Sequence, residues 1–150
     1  MTAPPAYAHF NASNSVDSGE IRYENYTQWN DSLYWARDRW NYVGRINIAA
    51  DTASTIADLE VRDYRASDDR CGYATTGRLG ADLVALNSSF YDGYNTDRRR
   101  ACTLHEFGHT LGLGHSYESQ AMDPNPVSAN PNYYVSPQGH DQADYHALWG

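Results

Sequence analysis

The chain has 150 residues, 41 % of them hydrophobic and 20 % charged, with a formal net charge of −8. That length supports one domain with its own core, and the composition excludes a disordered tail. No apolar run approaches the roughly 20 residues that span a bilayer, which argues against a membrane protein, and the acidic surplus argues against DNA or RNA as a partner. Thirteen tyrosines and four tryptophans carry polar tips that need partners when buried, so the core is expected to contain side-chain hydrogen bonds.

Residues 1–19, rich in Ala, Pro, Asn and Ser, read as an extended arm. Met1-Thr2-Ala3-Pro4-Pro5 has neither the basic nor the apolar region of a secretion signal. Residues 21–24 alternate as a short strand. Trp29, Leu33, Ala36 and Trp40 recur at helical spacing within 26–42, and Gly44 stops that helix. Residues 46–50 and 55–64 read as strands, and 66–80 as a polar, glycine-containing loop. Leu83, Val84, Ala85 and Leu86 form a compact apolar strand. Thr96 or Asp97 is positioned to cap a helix over 98–111. The triplet Arg98-Arg99-Arg100 opposes that helix's dipole and requires local compensation. After Gly114 the chain is Pro-rich, and Ser136-Pro137 opens a last helix that ends at Trp149. This order of elements predicts an α+β domain.

The segment from His105 to His115 carries the chemistry. Residues four apart on a helix share a face, so His105 and His109 can offer imidazoles to one metal ion. Glu106 lies beside that ion without binding it and is placed to take a proton from a water that the metal activates. Gly112 breaks the helix through a left-handed conformation, and the returning chain brings His115 as the third ligand. Three His with one open position are the catalytic form of a zinc site. Random sequence of this composition would give roughly 2 × 10⁻⁵ such matches in a chain of this length.

This motif resembles that of the metzincin metallopeptidases, and Met122, in Gln120-Ala121-Met122-Asp123-Pro124, sits where metzincins place a Met-turn beneath the zinc. The Pro after it, the Ser after the third His and the closing Asp141…Ala147-Leu148-Trp149-Gly150 are similar to the matrixin branch, including its small bacterial secreted members. The resemblance implies a metzincin-like zincin fold: a twisted mixed sheet with a backing helix, an active-site helix and a C-terminal helix. It implies a single catalytic domain over 1–150. The upper part, about 1–112, holds the sheet and zinc helix; the lower part, about 113–150, holds the Met-turn and last helix. It further implies that Asp141 supports the Met-turn and that the strand 83–87 is the sheet edge that pairs with substrate. The wall past the Met is Pro124-Asn125-Pro126, with Pro126 where matrixins have Tyr. Pro124 stands where other metzincins carry a Tyr that helps hold the oxyanion. Tyr133 and Tyr134 follow, and both read as packing residues.

One catalytic zinc is expected. The second, structural zinc of matrixins needs three His and an Asp upstream, and His9 is the only His before His105. Asp68, Asp69, Asp92 and Asp97 lie in loops where calcium could bind, but they read as solvated acids and calcium is not expected. Arg70-Cys71-Gly72 resembles the pro-segment motif whose thiolate caps the zinc. The second reading is a disulfide from Cys71 to Cys102, which stabilises by roughly 3–4 kcal/mol and belongs to an oxidising compartment. The function expected is that of a secreted, monomeric zinc endopeptidase acting on polypeptides, in mature form without signal or pro-segment. The alternative is a binding or inhibitory module that holds zinc on the same scaffold without turnover.

Overall fold

The computed structural model describes residues 9–127 and 134–150. Five strands form one sheet: β1 (Glu20–Tyr26), β2 (Asn47–Ala50), β3 (Leu59–Tyr64), β4 (Gly72–Thr75) and β5 (Asp82–Asn87). Their order is β2-β1-β3-β5-β4. All pairings are parallel except β4 with β5, where Gly72 stands opposite Leu86 and Thr75 opposite Leu83. Helices α1 (Asn30–Val43) and α3 (Thr96–Thr110) pack side by side, α1 over β2 and α3 over β4 and β5. A short α2 (Ser88–Tyr91) follows β5, and α4 (Gly139–Trp149) closes the chain. This mixed sheet with helices is the α+β arrangement the sequence leads one to expect.

The expectation that 83–87 forms the sheet edge is corrected. Leu83, Val84, Ala85 and Leu86 belong to β5, which is paired on both sides; the edges are β2 and β4, and the one beside β5 is β4. The physical reason is legible in hindsight. A run that is apolar on both faces suits a strand flanked on both sides, whereas edge strands are short and polar. The edge therefore lies inside the stretch read as a loop.

Other boundaries shift for local reasons. β1 runs on to Tyr26, which pairs with Arg62 of β3, so α1 starts at Asn30 rather than near 26. Asp63 ends β1 by accepting from Thr27 Oγ1 at 2.5 Å and Gln28 N at 2.9 Å. Gly44, at φ 101°, ends α1 in the left-handed region. The cap of α3 is Asn95, whose side chain accepts from Arg98 N, rather than Thr96 or Asp97. Its arginine triplet is compensated by neighbours: Arg100 makes a two-pronged bond to Asp31 at 2.8 and 2.9 Å and lies over Trp35. Arg99 donates to Tyr91 O and lies over Trp29.

The core joins Ile21, Ile48, Val61 and Leu86 of the sheet to Leu33 and Trp40 of α1 and Leu104 and Phe107 of α3. Its aromatic tips are satisfied. Trp40 Nε1 donates to Leu104 O at 2.9 Å, and Tyr91 Oη pairs with Thr103 Oγ1 at 2.7 Å. Tyr145 Oη accepts from Ile46 N and Arg45 N. Together these bonds tie α1, α3 and α4 into one packed unit beneath the sheet.

Candidate metal centre and its cleft

The last two turns of α3 carry His105, Glu106 and His109, and the helix stops at Thr110. Gly112, at φ 91°, then reverses the chain, with Gly112 N bonded to His109 O and Leu113 N to Gly108 O, both at 3.0 Å. A side chain at Gly112 would also press on Leu148 and Asn14. The reversal brings His115 back over the helix, and the three imidazole centroids lie 4.8, 5.1 and 5.0 Å apart.

Each helical ring is held from behind. His105 Nδ1 lies 2.9 Å from Ala121 O and His109 Nδ1 2.8 Å from Leu113 O. A carbonyl oxygen can only accept, so both Nδ1 atoms carry the proton and both Nε2 atoms present lone pairs. Those two Nε2 atoms face each other at 3.2 Å. Two lone pairs so placed repel unless a cation lies between them. Nitrogens bound to one zinc at tetrahedral angles stand about 3.3 Å apart. The donor set therefore fits zinc, with His115 as the third nitrogen.

Burial acts on the same groups. It pushes His105 well below its ordinary range, helped by His109 and His115, and takes His109 down to about 4. His115 is lowered as well, again by burial. Burial thus favours the neutral form of all three rings, the form in which imidazole can bind a metal. Glu106 is only 5 % exposed. Desolvation raises its carboxyl to about 8 against the pull of Arg70.

These groups line a cleft of about 600 Å³. One wall is the edge strand β4 with Arg70, Gly72 and Tyr73; the other is Pro124-Asn125-Pro126 with Val127. Gly72 lets that wall close on the helix, because a Cβ there would lie 2.7 Å from Ala85 O and 3.4 Å from Glu106 Cγ. Cys71 and Cys102 are joined by a disulfide with Cα atoms 6.3 Å apart. It staples the start of the edge strand to α3, one turn ahead of His105. Asn87 sets the approach to β4, its Nδ2 donating to Ala66 O and Arg70 O at 3.0 Å each.

Met122 lies under the histidines with its sulfur against Gly108 and is 1 % exposed. Asp141, on α4, accepts from Ala121 N at 2.7 Å and Met122 N at 3.1 Å. Sequence reasoning missed Arg70, Tyr73, Phe90 and Tyr94 as cleft residues. No motif marks them; only the packing of β4 and α2 beside α3 puts them there. Asp92 pairs with Arg65 at 2.9 Å, and Asp68 accepts from Arg70 N and Asn87 Nδ2. Tyr133 lies outside the described residues.

The family model described as matrixin matches residues 5–150. The chain therefore belongs to the matrixin family, and its domain is that of a zinc metallopeptidase. Among curated proteins none matches the chain.

Proposed function

We propose that this chain is a secreted, zinc-dependent endopeptidase, a single catalytic domain that works as a monomer on polypeptides. The observation that carries the reading is the meeting of three imidazoles and one buried carboxyl in a cleft walled by a free sheet edge. His105, His109 and His115 hold the zinc, which when bound polarises a carbonyl and lowers the pKa of water. Glu106 accepts the proton of the attacking water and passes it to the leaving amine. Its raised pKa favours that second role, and a cation beside it restores the ionised form needed for the first.

Substrate lies extended against β4, whose outer backbone groups are unpaired in the sheet and available for strand addition. The upper part of the domain, about 1–112, supplies this wall, and the lower part, about 113–150, supplies Pro124-Asn125-Pro126. Met122 and Asp141 are positioning residues beneath the metal. Secretion is supported by the disulfide, which persists in oxidising compartments. Among the described residues no helix is long and apolar enough to cross a membrane.

The test is digestion of an unfolded protein by zinc-loaded chain, with cut sites mapped by mass spectrometry before and after chelation. Internal cuts that stop on chelation and return with zinc are expected. Cuts that survive complete zinc removal contradict the reading. A zinc-loaded chain that makes no cuts leaves the non-catalytic zinc-holding module instead.

A further inference from the structure

Away from the cleft, His9, His140 and Asp144 bring three ligating atoms together. His9 Nδ1 lies 3.1 Å from His140 Nε2, which lies 3.2 Å from Asp144 Oδ2, and that oxygen lies 3.6 Å from His9 Nδ1. A point equidistant from the three lies about 1.9 Å from each, so an ion just out of their plane sits at the roughly 2.0–2.1 Å of zinc–nitrogen bonds. Calcium, at about 2.3–2.6 Å with six or more oxygens, does not fit.

Hydrogen bonds satisfy this triangle only in part. Asp144 Oδ2 accepts from His9 N at 3.4 Å, and the one proton that His140 Nε2 can carry goes either to His9 Nδ1 or to Asp144 Oδ2. The Asp144 side chain is only 3 % exposed. Its Oδ1 is buried with no partner among the described residues. A buried carboxylate so weakly satisfied is costly unless a cation neutralises it.

We propose that His9, His140 and Asp144 form a second site for zinc or a similar divalent transition-metal ion, with one position left to water. The site clamps the N-terminal strap onto α4. His9 O accepts from Gly114 N at 2.8 Å, and Asn11 N donates to Gly112 O at 2.8 Å. Asn11 Nδ2 also donates to His109 O. The clamped strap thus braces the reversal that delivers His115, and a metal here is structural. The site does not depend on whether the cleft is catalytic.

Metal-stripped full chain is titrated with Zn²⁺, and bound zinc is counted by elemental analysis after gel filtration. Two equivalents are expected for the wild-type chain and one each for His9→Asn, His140→Gln and His109→Gln. In His109→Gln, which keeps the second site intact, Zn²⁺ should still raise Tm; in the double variant with His9→Asn it should not. His9 is half-exposed on the strap, so its replacement keeps the test readable if His140→Gln fails to fold. One equivalent in the wild type that disappears in His109→Gln overturns the proposal, as do two equivalents retained in His9→Asn.

Discussion

Asp141 and His105 hold the same peptide group from opposite ends. The carboxylate on α4 accepts the Ala121 N–H at 2.7 Å, and the Ala121 carbonyl accepts the His105 Nδ1 proton at 2.9 Å. Asp141 also accepts from Met122 N at 3.1 Å and Gln138 N at 2.8 Å. The orientation of a candidate metal ligand on α3 is therefore set by an acid on the last helix, through the turn that carries Met122.

Asp141→Ala leaves three backbone donors, two of them buried, without this acceptor, a loss on the order of 2–3 kcal/mol. It also frees the His105 ring to turn, which should weaken zinc binding by about 10–100-fold. Urea unfolding and competition with a chromophoric chelator check the two effects. Asp141→Asn, which keeps one acceptor oxygen, should fall between.

The metal-free protein should show a stability maximum near pH 6.5. The three ligand histidines are depressed in the fold, with His109 at about 4, against 6.5 when unfolded. Their contribution is present above 6.5 and lost as pH falls and the unfolded state takes up protons. Glu106 acts in the other sense. Its folded pKa of about 8 exceeds its unfolded 4.5, so its contribution is lost as pH rises toward 8. Unfolding curves in chelator between pH 5 and 8 should rise and then fall, and in Glu106→Gln the alkaline fall should vanish.

Loss of the disulfide should cost roughly 3–4 kcal/mol for a loop of this length. Because Cys71 adjoins β4 and Cys102 lies on α3, the loss should loosen the edge strand first. The double Cys71→Ser, Cys102→Ser variant, followed by urea unfolding and hydrogen exchange, should show lower stability and the largest loss of protection at 72–75.

Gly108→Ala should be poorly tolerated. Its Cβ would overlap Met122 Sδ and lie 3.2 Å from Trp40 Cζ2, so the Met122 side chain must move and the Trp40 ring must give slightly. Overpacking of this kind costs about 1–3 kcal/mol. Pairing the change with Met122→Ala should recover part of the loss, which thermal unfolding of the single and double variants would measure.

The meeting of the three candidate ligands was legible because their spacing is local: four residues on a helix and a glycine turn bring the three rings together whatever the rest of the chain does. The α+β class followed from the helical spacing within α1, the capping signals before α3 and the compact apolar run of β5. The edge strand that walls the cleft was not legible. Gly72-Tyr73-Ala74-Thr75 is short and opens on a glycine, and its strand character comes from pairing with β5, a long-range contact with no periodic signature. Arg70, Phe90 and Tyr94 escaped for the same reason, since they reach the cleft only after β4 and α2 dock. The capping role of Asn95 was missed by one position, within the ordinary uncertainty of a helix start. The His9–His140–Asp144 cluster joins the first described residues to the last helix, and nothing in a linear reading connects them.

The most direct measurement is peptide cleavage by Glu106→Gln beside the wild type, with zinc at the His105–His109–His115 site measured in the same samples. A variant that keeps this zinc and loses cleavage by 10²-fold or more is the expected result, in line with the usual contribution of a general base. A variant that keeps both its zinc and its cleavage rate would contradict the assignment of Glu106 and, with it, the proposed mechanism.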